Sequence, residues 1–225
     1  MFLIKVFNYL FGKFLGSKNL HLTFSLNYST RKRQINTQYL DYIRLATLEL
    51  VAHEINNKNL QGNVAEVGVY KGKFAQYINQ YFPSRKLYLF DTFQGFDEKD
   101  IKAEIKLGLN NVGQNFSNTS VDIVLKNMPF PKQCIIKKGF FPETTEGIDD
   151  TFVFVSLDTD LYEPIYQGLT YFYPRMVRGG CIFVHDVNNN SYKGAAKAVN
   201  QFAIEQQISF LPLPDACGSA VLIKN

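Results

Sequence analysis

The chain has 225 residues (25.8 kDa), 46% hydrophobic and 20% charged, which suits one α/β domain with a full core and is too little for two comfortable domains. Its net charge of +4 is mild, and the Lys and Arg residues form no stripe with interleaved aromatics, which excludes a nucleic acid as partner. Three widely spaced cysteines, Cys134, Cys181 and Cys217, exclude a disulfide scaffold and read as buried thiols of a reducing, cytoplasmic compartment.

Residues 1–16 are apolar and aromatic, but Lys5, Asn8 and Lys13 interrupt them and they fall short of the roughly 20 residues a membrane span requires. No cleavage site of small residues follows. The run therefore reads as a short helix that packs on the domain or a partner, with peripheral contact at a membrane surface as the second choice. Its aromatic residues suggest a homo-oligomer. Residues 29–33, basic and polar, read as a linker, giving an arm over residues 1–35 and a folded domain over residues 36–225.

Between residues 39 and 57 the apolar side chains Leu40, Ile43, Leu48, Val51 and Ile55 recur at helical spacing. His53 on this helix and His21 in the arm take no functional assignment. Val64, Ala65 and Val67 then form the apolar run of a strand buried on both faces, followed at once by a Gly68-x-x-x-Gly72 turn and a helix to residue 81, closed by Pro83. Strand, tight turn, helix is a nucleotide site in outline. Gly68 lets backbone approach a ligand, Gly72 permits close packing at the helix start, and Glu66 places a carboxylate at the strand end. A second strand over residues 86–90 delivers Asp91, close to the roughly 20-residue spacing at which an acid meets a ribose hydroxyl.

Residues 92–117 form a polar segment with several glycines, read as a lid or binding loop. Asn118, Thr119 or Ser120 caps a helix to about Asn127, and residues 135–138 make a third strand that ends in the turn Gly139-Phe140-Phe141-Pro142. The fourth strand, residues 152–157, stops at Asp158-Thr159-Asp160. A helix over residues 163–173 and a Gly179-Gly180 turn lead to the fifth strand, residues 181–184, which ends in His185-Asp186. A helix over residues 195–206 and two strands, residues 209–213 and 219–223, finish the chain. Five β-α alternations imply an α/β fold, a doubly wound, mostly parallel sheet, and the last pair, lacking a helix, suits an antiparallel hairpin. Four strands thus present Glu66, Asp91, Asp158 with Asp160, and His185 with Asp186 along one sheet edge.

The series VAEVGVYKGKFA, LYLFDTFQGF, KKGFFPET, VSLDTDLYEPIYQGLTYFYPRMVRGGCIFVHDV and GAAKAVNQF resembles the macrocin/mycinamicin type of sugar O-methyltransferase, the TylF-like family of class I S-adenosylmethionine enzymes. The resemblance covers about residues 40–225. It implies a Rossmann-like seven-stranded sheet, S-adenosylmethionine as methyl donor, and a divalent metal, usually magnesium, at the sugar hydroxyls. By matched position, Glu66, Gly68 and Tyr70, with Lys71 and Gly72 in the same turn, would line the methionine and ribose side. Asp91 and Thr92 would meet the ribose, and Ser120, Val121, Gly139 and Phe140 the adenine. Asp158 would border the cofactor, bind metal and act as general base, with Asp186 a second metal ligand. Metal-dependent members carry two consecutive acids after the fifth strand, whereas this chain has His185-Asp186. An imidazole in that place favours manganese or iron over magnesium.

The reaction so implied is methyl transfer to a hydroxyl of a sugar or glycoside, the acceptor being a small molecule or glycan precursor, with metal assistance. Two alternatives stand beside it: a metal-independent methyltransferase with His185 as base, and a nucleotide-sugar glycosyltransferase using Asp158-Thr159-Asp160 for metal and diphosphate. Against the second, no basic residues flank Asp158 in the sequence.

Overall fold

A computed structural model describes residues 6, 7, 9–12, 41–109 and 115–225. Met1–Asn36 and Thr37–Asn225 form separate units, and the second holds the sheet. In the first, residues 6, 7 and 9–12 are helical, while the expected linker at residues 29–33 lies outside the described residues.

Helix α1, Tyr42–Asn57, starts where Asp41 caps it, accepting hydrogen bonds from the amides of Ile43 (2.8 Å) and Arg44 (3.1 Å). Asp41→Ala is therefore expected to cost about 1 kcal/mol, seen as a lower urea midpoint at unchanged slope. The chain then alternates: β1 Asn63–Val67, α2 Ala75–Tyr81, β2 Leu87–Asp91, α3 Glu98–Lys106, α4 Val121–Asn127, β3 Cys134–Lys138, β4 Phe152–Leu157, α5 Tyr162–Phe172, β5 Met176–Val184, α6 Lys193–Gln206, β6 Leu211–Pro212 and β7 Ala220–Ile223. One seven-stranded sheet results, in the order β3-β2-β1-β4-β5-β7-β6. β1 to β5 pair in parallel and β7 runs antiparallel to both β5 and β6, so the fold is the mostly parallel α/β sheet with a closing hairpin that the sequence implied.

The order of strands reverses between β1 and β4, with β2 and β3 added on one side and β4 and β5 on the other, the switch point where open α/β sheets leave a crevice. β4 lies between β1 and β5 and every one of its residues is buried, which explains its unbroken apolar run. On one face Phe152 meets Phe172 of α5 edge-on at 4.9 Å, and α6 adds Ala198, Val199 and Phe202 to the same cluster. Phe154 instead contacts Phe82 and Phe183, at 5.9 and 5.0 Å between centroids.

Three expectations change. Residues 92–117 are not irregular throughout, because α3 forms within them: Asp97 caps it by accepting from the Lys99 amide at 2.8 Å, and Glu98 pairs with Lys102 one turn on at 3.3 Å. Its inward side is acidic, so an apolar period could not announce it; buried Glu104 accepts from the Tyr162 amide at 3.0 Å and so caps α5. Gly179 and Gly180 are not a turn but lie inside β5, which starts at Met176. There Phe152 and Phe154 of β4 pair with Met176 and Cys181, a bulge in which a Cβ on Gly180 would lie 2.8 Å from the Val153 carbonyl oxygen. The closing strands are also shorter than read. All three cysteines are free, with Cys181 buried.

Candidate active site

Four of the five parallel strands, β1, β3, β4 and β5, hand their next residue to a neighbour through one more backbone bond. The Gly68 amide donates to Phe90, Asp158 to Val67, His185 to Leu157 and Gly139 to Asp91, all at 2.9–3.0 Å. The functional side chains therefore stand on the last rung of the sheet, around a cavity of about 400 Å³.

At the β1 turn Gly68 has φ +82°, and an added Cβ would fall 2.0 Å from the Asp158 carbonyl oxygen. Only a residue without a side chain lets the two strand ends approach so closely. Asp91 braces this turn: one carboxylate oxygen accepts from the amides of Val69 and Tyr70 at 2.8 Å each, and the other from Phe93 at 2.6 Å. Tyr70, Phe93, Asp160 and Asp186 all have positive φ between +50° and +62°, so strained backbone collects around the cavity. Glu66 is 1% exposed, and its Oε2 has no hydrogen-bond partner among the described residues. Burial, with the Asp158 charge next, pushes its carboxyl well above the ordinary value.

Across the cavity Asp158 lies between two cations. Arg44 of α1, 4% exposed and stacked 3.9 Å over the Phe74 ring, reaches Oδ2 at 3.0 Å; the His185 ring nitrogen Nδ1 lies 3.1 Å from Oδ1. The same Nδ1 is 2.7 Å from Asp186, which Asn189 also supports. Burial alone would raise Asp158, yet Arg44 and His185 hold its carboxyl well below the usual range. Burial opposes charge on His185, but Asp158, with hydrogen bonds to both carboxylates, raises the ring to about 10. Asp160 moves the other way, pushed well up by burial and by Asp158 and Asp186. Ligand atoms of Asp158, His185 and Asp186 all lie within 4.8 Å of one another, a mixed carboxylate and imidazole set able to take a divalent cation.

Of the residues singled out from sequence, Glu66, Gly68, Tyr70, Lys71, Asp91, Thr92, Gly139, Phe140, Asp158, His185 and Asp186 line this cavity. Gly72, Ser120 and Val121 are not among its lining: Gly72 packs against Val124 and Met128, and Ser120 caps α4 by accepting from the Ile123 amide. Sequence reasoning missed Arg44, which a helical pattern shows as one more solvated cation, and Asp100 of α3. Asp100 is 8% exposed, and burial, with Asp97 adding to it, pushes its carboxyl up to about 7.

A family model described as Macrocin-O-methyltransferase (TylF) matches residues 34–221. Demethyldecarbamoylnovobiocin O-methyltransferase of Streptomyces niveus is 24% identical over 163 residues, 64% of this chain and 59% of that protein, so the match spans less than two thirds of the curated relative. Among solved structures, the O-methyltransferase NovP superposes with a TM-score of 0.66 at 21% identity, covering 81% of this chain and 79% of the other. The calicheamicin methyltransferase CalS11 gives 0.63 at 18% identity over 80% and 78% of the two chains. At these identities the structures establish the fold.

Proposed function

The chain belongs to the macrocin-O-methyltransferase (TylF) family, and from that membership we propose that it transfers a methyl group from S-adenosylmethionine to a hydroxyl of a sugar or glycoside. The observation that carries the reading is the single cavity into which a cofactor wall, Glu66 to Tyr70 with Asp91, and a proton-handling wall, Asp158 with His185 and Asp186, both open.

The residues present fit the donor. The unpartnered buried oxygen of Glu66 suits an ammonium group, and Asp91 keeps acceptor capacity for ribose hydroxyls after its three amide bonds. Bound there, S-adenosylmethionine would supply a methyl already activated on sulfonium. The protein then has two tasks, to hold the hydroxyl oxygen in line about 3 Å away and to take its proton. Asp158, kept ionised by Arg44, accepts the hydroxyl's hydrogen bond and orients it. The proton passes to His185 only when its ring is neutral. Asp158, His185 and Asp186 would also hold a divalent cation, manganese or iron in preference to magnesium given the imidazole, and it would polarise the hydroxyl.

Where His185 takes the proton unaided its ring must first be neutral, and Asp158 and Asp186 favour the charged ring, so in metal-free enzyme kcat/KM is expected to rise with pH through the neutral range, by up to about tenfold per pH unit. A profile flat across the neutral range in metal-free enzyme would remove His185 as the base. Calorimetry tests the donor directly: heat with S-adenosylmethionine is expected whether or not a nucleotide sugar also binds, with Glu66→Gln weakening the donor. Heat with nucleotide sugars and none with S-adenosylmethionine would favour the glycosyltransferase. Chelation followed by return of manganese or magnesium then separates the two routes, because undiminished turnover with chelator would leave His185 as the unaided base.

A further inference from the structure

The charge of this protein is unevenly distributed. Residues 1–40 contain Lys5, Lys13, Lys18, Arg31, Lys32 and Arg33 and no acid, while the other 185 residues hold 18 basic and 20 acidic side chains. The net +4 therefore arises entirely from the first 40 residues. The same stretch is the richest in large apolar side chains: Phe2, Leu3, Ile4, Val6, Phe7, Tyr9, Leu10, Phe11, Phe14 and Leu15 fall within 15 residues, with Lys5 and Lys13 set among them.

In the helical part that is described, these side chains are open to solvent. Phe7 is 40% exposed, Tyr9 89%, Leu10 65% and Phe11 48%, with the Phe7 and Phe11 rings one turn apart at 4.8 Å. Elsewhere the exposed large hydrophobics, such as Ile105, Ile123, Phe130 and Ile204, are dispersed singly in sequence, which is ordinary for a protein surface. A run of exposed aromatic and aliphatic groups is not.

We infer that residues 1–40 dock the protein on an anionic phospholipid bilayer, the apolar side chains entering the headgroup boundary and the lysines and arginines facing lipid phosphates. Lys5, Asn8 and Lys13 interrupt the apolar run of residues 1–16, which suits a helix lying at a membrane surface. Charge selects the occupant. A second copy of the same stretch would set six cations against six, whereas an anionic surface neutralises them. A nucleic acid would match the charge and leave Phe7, Leu10 and Phe11 in water. The inference is independent of methyl transfer and would stand if that reading failed.

Flotation of the full chain with vesicles tests it. Binding is expected to phosphatidylcholine vesicles containing phosphatidylglycerol, with little to pure phosphatidylcholine, and high salt should weaken it. Lys5→Gln/Lys13→Gln/Lys18→Gln is expected to lower partitioning roughly 100-fold, and Leu10→Asp/Phe11→Asp to abolish it. Both variants should keep the parent's melting temperature and S-adenosylmethionine heat, since the substitutions lie outside the unit that holds the sheet. Absence of flotation with either vesicle, or equal flotation with both, would overturn the proposal. So would light scattering in which Leu10→Asp/Phe11→Asp halves the mass while flotation persists, because the stretch would then cover a second copy.

Discussion

Asp158→Asn is expected to reduce kcat by about 100- to 10,000-fold, the range associated with losing a positioned proton-handling group, while the affinity for S-adenosylmethionine changes little. The carboxylate touches both flanking cations, so the substitution also unpairs Arg44 and His185. Breaking a buried pair from one side costs about 3–5 kcal/mol when the remaining charge has nowhere to go. Here His185 can discharge by losing its proton, but Arg44, 4% exposed, cannot. The pH dependence of stability carries a signature of the arrangement. His185 has a folded pKa raised to about 10 from 6.5, so its contribution is complete below 6.5 and is lost as pH rises through 10. Asp158 is depressed, so its contribution is present above 3.8 and is lost as pH falls. Urea midpoints measured across the alkaline range should therefore decline more steeply in the parent than in Asp158→Asn, where Asp186 alone of the two carboxylates still faces the ring. Parallel curves for the two proteins would show that the pair is not formed in solution.

Gly68→Ala is expected to be more damaging to the fold than any single cap or surface exchange, by about 4 kcal/mol or more, with little soluble product. Two penalties coincide. At φ +82° a side chain is disfavoured by about 1–2 kcal/mol, and its Cβ would lie 2.0 Å from the Asp158 carbonyl oxygen and 2.7 Å from the carbonyl carbon. Backbone held in a central strand cannot swing aside as a side-chain tip can. Gly108→Ala is the matched control: φ is +66°, yet nothing lies within 4 Å of the added carbon, so a loss of about 1 kcal/mol is expected. Equal effects at the two glycines, read from thermal or urea unfolding, would mean that conformation alone sets the cost and that the β1 and β4 ends do not meet as described.

What could be read from sequence follows from where the information resides. A strand buried on both faces must be continuously apolar and must stop at a polar residue, so β4 and the acid after it stand out in Phe152 to Asp158. The same logic exposes Asp91 and His185. Helix α3 had no such signature, because its inward side chains include Asp100 and Glu104, and only its cap and its Glu98–Lys102 pair point to a helix. Glycine is ambiguous by nature: the pair at 179 and 180 serves close strand approach as readily as it would serve a turn. Arg44 lay beyond reach for another reason. Its role depends on a carboxylate 114 positions away, and one-dimensional pattern holds no trace of that meeting.

Four amide links tie the five parallel strand tips into one transverse seam. Insertions or deletions in the crossovers, at positions such as 107–109, should then leave the reactive groups undisturbed, whereas one extra residue within β4 would invert its facing pattern and send the Asp158 carboxylate to the opposite side of the sheet. Relatives can thus remodel what enters the cavity by lengthening or trimming loops, while the spacing between donor and acceptor stays a fixed property of the sheet.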